Sequence, residues 1–359
     1  MKELYTETSQ YRNWRFSKAN LQETRENNHT LAVERVKKKV LEESILQKQT
    51  LDASSAHSEQ TESVDSPRLI PVEIEYLTLE DELALCNFYE TRIPPMANYF
   101  PKEVIENKFT DKVKATAITF AKRFYLRNTV MDYHPKEIIC VDNLDKNSVT
   151  CLFLAAKVEH SFVAIEEFTK VVKLPKETIF ELELVVSRSL RYEYAVHHPY
   201  LALFGLFLDM QNFIKDIPNI KLLYEKSLEF VNKSLFTDCM FIYQPSQIAL
   251  ATLRMAAKKD NYDLEKIYLQ FKFKSDPKEK VIELHKILDE IEDTINSHVN
   301  VNVEQAKEID SRLHKCKNPE KNPNSAISKK RRREKEELEE IDRRKKKKLD
   351  DEYQKDISK

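Results

Sequence analysis

Two runs of cations, Lys329-Lys330-Arg331-Arg332-Arg333 and Arg343-Arg344-Lys345-Lys346-Lys347-Lys348, flank an acidic block from Glu334 to Asp342. Paired basic clusters on a short spacer are the pattern of a bipartite nuclear-localisation signal. The same text also reads as a solvated charged helix laced with i,i+4 pairs. Direct nucleic-acid binding is not expected, because the intervening carboxylates repel phosphate. The other chemistry-bearing residues are sparse. Cys86, Cys140, Cys151, Cys239 and Cys316 form no C-x-x-C pair; so scattered a set reads as buried, reduced thiols of an intracellular protein rather than as zinc ligands. Glycine occurs once, as Gly205, where average usage of about 7% would supply some two dozen. Phosphate-cradling loops, dinucleotide fingerprints and nucleophile elbows all need glycine at a sharp turn or a close approach. Kinase, P-loop and Rossmann chemistry are therefore excluded. What remains is a chain expected to hold no cofactor, no metal and no active site.

The elements that would position these residues are helical throughout. Of the 359 residues, 41% are apolar and 33% charged, and the formal net charge is −1, which favours neither a nucleic-acid nor a membrane partner. No signal peptide opens the sequence, and the longest apolar run, Tyr200 to Leu208, is too short to span a bilayer. Residues 1 to about 70 are polar, with a charged stretch from Leu31 to Leu46 that could be helical and a linker-like Ser/Thr stretch ending at Ser66-Pro67. Thr78-Leu79-Glu80-Asp81 is a capping-box-like start. Leu79, Leu83, Cys86, Glu90 and Ile93 follow at helical spacing, all apolar except Glu90, before Pro94-Pro95 interrupts. Further helices are predicted around Val113 to Phe124, Thr150 to Val158, Ala164 to Val171 and Ile179 to Leu190. A second set covers Pro199 to Met210, Leu222 to Leu235, Pro245 to Ala257 and Tyr262 to Tyr268. Pro277 at the first helical position opens the last, through Ile295. Two successive bundles of about five helices result, each with a small-residue-rich third helix suited to a bundle's centre. Apolar periodicity is lost from about 303 onward.

The residues of that first central helix, Thr150-Cys151-Leu152-Phe153-Leu154-Ala155-Ala156-Lys157-Val158-Glu159, resemble the middle of a cyclin box. Phe120-Ala121-Lys122-Arg123-Phe124-Tyr125-Leu126, Val130-Met131-Asp132-Tyr133-His134-Pro135, Val196-His197-His198-Pro199-Tyr200 and Tyr243-Gln244-Pro245-Ser246-Gln247-Ile248-Ala249-Leu250 are similar to the cyclin H family, as is Trp14 with Phe16-Ser17. The likeness covers roughly residues 11 to 20 and 75 to 295. It implies an all-α fold of tandem five-helix cyclin boxes, at 75–195 and 196–300. An N-terminal helix and flexible linker at 1–70 and a charged tail at 301–359 would flank them. It also implies a non-catalytic subunit that activates a cyclin-dependent kinase, the CDK-activating kinase, with a RING-type assembly factor as third partner. Within TFIIH that assembly phosphorylates the C-terminal domain of RNA polymerase II, so the expected location is nuclear. Another transcriptional cyclin, or a TFIIB-like DNA-binding scaffold, are the competing readings; the second expects a basic core and a zinc ribbon that this chain lacks.

In cyclins a lysine closing the third helix and a glutamate on the fifth contact the kinase near its mobile αC helix. Lys157 matches the first, and Glu183 the second by counting back from Leu190-Arg191-Tyr192. A donor-only ammonium beside an acceptor-only carboxylate can satisfy both kinds of backbone group on a partner, but the two could equally form an ion pair between helices. The sequence departs from the family in an insert of about nine residues around Val141 to Ser148, and in His160, where a second acid is usual; His160 is expected to be exposed. An M-R-A-I-L-type substrate-docking run is absent from Glu80 to Arg92.

Overall fold

The computed structural model describes residues 4–55, 74–97, 100, 109–139, 150–213 and 219–357. The Ser58–Pro67 stretch, the insert at 141–148 and Cys140 lie outside them. Every regular element among the described residues is helical, and no described helix is long and apolar enough to cross a membrane. The chain divides into two compact units, residues 1–28 with 78–309, and residues 29–77 with 310–359.

In the larger unit a short helix, α1 (Ser9–Asn13), precedes α2 (Lys18–Ser55), which continues into the other unit. The first bundle comprises α3 (Leu79–Glu90), α4 (Ile93–Ala97), α5 (Asp111–Tyr125), α6 (Pro135–Ile138), α7 (Thr150–Val158), α8 (Ile165–Val172) and α9 (Lys176–Ser189). The second comprises α10 (Pro199–Phe213), α11 (Ile220–Ser234), α12 (Cys239–Ile242), α13 (Pro245–Lys259), a π-helical turn (Glu265–Leu269) running into α14 (Gln270–Lys272), and α15 (Lys278–Ser297). The reciprocal capping box of α3 is present: Asp81 N–H donates to Thr78 Oγ1 at 3.2 Å and Thr78 N–H to Asp81 Oδ2 at 3.0 Å. It satisfies two donors that a bare helix start would leave orphaned. Glu90, the one acid on that helix's apolar stripe, is buried against Lys122 of α5 with 3.0 Å between charges. Burial raises its carboxyl above the usual range, and Lys122 opposes that rise. Pro277 is the N-cap of α15, one position before the first helical residue expected of it.

The small-residue helices are the two centres. Thr150 to Ala156 of α7 and Ile248 to Ala257 of α13 are buried without a break. α7 packs on α5, α6 and α9, and α13 on α10, α11, α12 and α15. Burial on every side, with Thr, Cys and Ala interspersed, lets neighbours approach from several directions, which a one-sided apolar stripe could not support. An N-terminal strap joins the bundles: Trp14 and Leu21 cluster with Leu126 of the first and Phe241 of the second. Trp14 Nε1–H donates to Glu193 at 2.6 Å, and Gln10 exchanges two hydrogen bonds with the backbone of His197 in the inter-bundle linker.

The smaller unit contains most of α2, the end of α16 (Val303–Cys316) and α17 (Ala326–Ile357). Periodicity does not stop at 303: Ala306, Ile309, Leu313 and Cys316 form a buried stripe on α16. Glu43, itself buried, accepts from the Ala326 and Ile327 amides at 2.8 and 2.9 Å. A carboxylate on the first free amides of a helix satisfies them and faces the positive end of its dipole.

Candidate functional site

Lys157 ends the central helix of the first bundle because the chain turns back directly after it. Ser161 N–H bonds to the Ala156 carbonyl and His160 N–H to that of Lys157, at 2.8 and 3.2 Å, with His160 exposed and left-handed at φ 57°. This is the Schellman closure of a helix, with histidine where glycine is usual. Lys157 therefore occupies the last turn, where a cation complements the carbonyl end of α7. Glu183 lies on α9, which packs against α7.

The structure brings the two together. Lys157 Nζ donates to both carboxylate oxygens of Glu183, at 2.7 and 2.9 Å. It also sits 4.7 Å from the Phe153 ring centre and 5.8 Å from that of Phe180. The Lys157 side chain is 38% exposed and that of Glu183 16%, so solvent screening limits their mutual stabilisation to about 1 kcal/mol or less. Neither group is saturated. An ammonium has three donors and a carboxylate about four acceptor positions, which leaves capacity on each for an incoming chain.

The same elements also carry exposed apolar side chains. Phe180 and Leu184 are 43% and 44% exposed, and Phe162, just beyond α7, is 64% exposed. Positions 180, 183 and 184 share one side of α9 by helical spacing. These three residues were not singled out from the sequence, yet a signal existed: Phe180 and Leu184 fall off the Ile179–Leu182–Val186 stripe that faces the core.

The cationic clusters lie along α17. Lys329, Lys330, Arg331, Arg332, Arg333, Arg343, Arg344, Lys345, Lys346 and Lys347 are exposed, and Lys348 continues the helix. Arg331 pairs with Glu320, and Arg332, Arg343 and Arg344 pair with Glu336, Glu339 and Glu340 one turn away. The i,i+4 lacing thus holds, within a helix long enough to carry both clusters. Among the described residues no group of His, Cys, Asp or Glu could hold a metal ion; Cys86, Cys151 and Cys239 are free thiols, and they and Cys316 are buried. A polar cleft of about 380 Å³ between the bundles is lined by Glu90, Lys122, Arg25 and Asp238. Its charges are paired with one another, Arg25 and Asp238 through two bonds of 2.7 Å.

Comparison with known proteins accounts for both bundles. Residues 95–195 match the family "Cyclin, N-terminal domain" and residues 198–297 the "Cyclin C-terminal domain". Cyclin CCL1 of Saccharomyces cerevisiae is 32% identical over 280 residues, covering 76% of this chain and 62% of that one. Cyclin-H1-1 of Arabidopsis thaliana is 29% identical over 276 residues, 74% of this chain and 76% of its own.

The chain belongs to the cyclin family, in its H type.

The two bundles are thus its cyclin boxes, and the tandem all-α architecture expected from the sequence is present. A chain of the yeast TFIIK (Kin28/Ccl1/Tfb3) complex is 28% identical with a TM-score of 0.58, covering 81% of this chain and all of that one. A chain of the Chaetomium thermophilum CAK complex, at 24% identity, shares the fold with a TM-score of 0.72 over 93% of this cyclin and 94% of its own length. The chain spans about 62% of the length of its yeast relative CCL1.

Proposed function

We propose that this cyclin is the non-catalytic activating subunit of a cyclin-dependent kinase, the CDK-activating kinase. It grips the kinase through Lys157, Glu183 and the exposed Phe162, Phe180 and Leu184. The observation that carries the reading is the Lys157–Glu183 pair: preformed across two helices, with spare donors and acceptors, and with the exposed Phe180 ring against its ammonium. A kinase requires its αC glutamate turned inward to pair with the β3 lysine, and a subunit that binds only that form shifts the population. Moving it from 1:99 to 99:1 takes about 5.5 kcal/mol of differential binding. Two charge-assisted hydrogen bonds at roughly 1.5–3 kcal/mol each, with burial of a modest apolar patch, reach that figure.

The likeness to H-type cyclins, and to a chain of a complex containing Kin28, Ccl1 and Tfb3, supports a ternary assembly with a kinase and a RING-type assembly factor. On this reading the cyclin serves within TFIIH, in phosphorylation of the polymerase II C-terminal domain and in cell-cycle kinase activation. It acts in the nucleus, with the two basic clusters of α17 as its localisation signal.

The test is co-purification of the chain with its organism's CDK-activating kinase, wild type against Lys157→Ala/Glu183→Ala. Activity is read on a T-loop peptide and on a polymerase repeat peptide. An active wild-type complex, and loss of at least tenfold activity in the double variant at unchanged helicity, is the expected result. A wild-type chain that binds no such kinase overturns the assignment. A fully active double variant confines Lys157 and Glu183 to holding α7 and α9 together.

A further inference from the structure

Beside the gripping pair runs a second chain of polar contacts that no solvent-facing role accounts for. Glu159, two residues beyond Lys157, turns its side chain inward; it is 8% exposed and ion-paired with Lys112 at 2.5 Å. The buried Thr116 hydroxyl of α5 donates to Glu159 Oε1 at 2.7 Å and lies 2.8 Å from Nε2 of the buried His198. A threonine hydroxyl has one hydrogen. With that hydrogen on the carboxylate, His198 must carry its proton on Nε2 and donate to the threonine oxygen. The relay therefore runs one way, from His198 at the inter-box linker through Thr116 to Glu159 at the end of α7.

The turn that this relay anchors holds one of the chain's left-handed residues. His160 holds φ 57°, a left-handed conformation costly for any residue with a Cβ and kept only where surrounding contacts over-determine it. Glu159 immediately precedes it, and its ties to Lys112 and Thr116 bind this turn to α5. The turn in turn uses the carbonyl of Lys157 itself, through His160 N–H. We infer that Glu159 is a positioning residue for kinase binding: by pinning the turn after α7 to α5 it fixes the direction in which Lys157 is presented. The inference rests on the kinase-gripping reading above and deepens it, since Glu159 acts through Lys157 rather than by touching the partner.

A double-mutant cycle on the cyclin–kinase complex tests this, with dissociation constants for wild type, Glu159→Ala, Lys157→Ala and the double variant. Glu159→Ala is expected to weaken kinase binding about five- to tenfold in the wild-type background and less than about twofold when Lys157 is already alanine, the signature of coupled residues. Equal factors in both backgrounds, or no weakening at all, would overturn the inference. Should Glu159→Ala lose helicity, Thr116→Val breaks the same relay and Thr116→Ser restores the hydroxyl. Weakening by valine that serine rescues supports the relay; weakening by both to the same degree overturns it. A wild-type chain that binds no kinase removes the functional reading and this inference with it, whereas a normal wild-type complex with an additive cycle removes only the inference.

Discussion

His198 illustrates how much a single buried side chain can carry. Burial, aided by repulsion from Lys112, Arg123 and His197, lowers its pKa from the ordinary 6.5 to about 3. The unfolded chain takes up a proton near pH 6.5 that the folded chain refuses until far lower. The associated stability is therefore complete above that pH and is lost as pH falls, by about 1.4 kcal/mol per unit for one proton. Between pH 7 and pH 5 the loss is expected to be about 2 kcal/mol. His198→Gln keeps an N–H donor in place without a titrating ring, so urea unfolding at pH 7, 6 and 5 should show a pH slope shallower by one proton. A slope equal to wild type would assign the titration to another group. None of this relay was legible in the sequence. Thr116, Glu159 and His198 are 43 and 82 residues apart, and only packing makes them neighbours. Lys157 and Glu183 were singled out because the text around them resembles a family, and their ion pair was one of the two readings that the sequence left open.

At the scale of the element, the helices that could be read were those with an apolar stripe. The starts of α3, α5 and α7 to α9 fall within a few residues of expectation because a stripe facing a core is a strong local signal. α16 was missed for a physical reason: its stripe is Ala306, Ile309, Leu313 and Cys316, two strong hydrophobes in a segment, Val303–Cys316, with nine polar or charged residues. α17 has almost no apolar face, and its stability rests on lacing and on its cap. The cap lies 283 residues away in sequence, where no local rule would find it: Glu43 takes the Ala326 and Ile327 amides. Removing such a cap costs a helix about 1 kcal/mol, a roughly fivefold rise in the opening of its first turn. Glu43→Ala should therefore speed amide exchange at Ala326 to Lys330 by about that factor and leave the cyclin boxes protected as before. Unchanged exchange there would mean that the Ser325 hydroxyl, which accepts from Ser328 N–H at 3.1 Å, suffices alone.

Across the whole molecule, charge is sorted along the sequence. Between residues 329 and 348 twelve cations meet six acids, so with a formal net charge of −1 the rest of the chain is net negative. The excess cations stand in the compact unit that does not contain Lys157 and Glu183. Alanine at the basic clusters leaves Lys157 and Glu183 themselves unchanged. Consecutive residues of a helix point about 100° apart, so no single surface can meet all of Lys329 to Arg333 while α17 is intact. A transport receptor that reads the run must do so on an unwound segment, or read only one side of it. The expectation is that alanine at residues 329–333 and 343–348 lowers nuclear accumulation of the full chain markedly. Kinase affinity should stay within about twofold of wild type, the range of surface substitutions remote from a site. Both are measurable on one preparation, by import into permeabilised cells and by kinase titration. Undiminished import would leave α17 as a charged helix alone, and a large loss of kinase affinity would make the tail part of the grip.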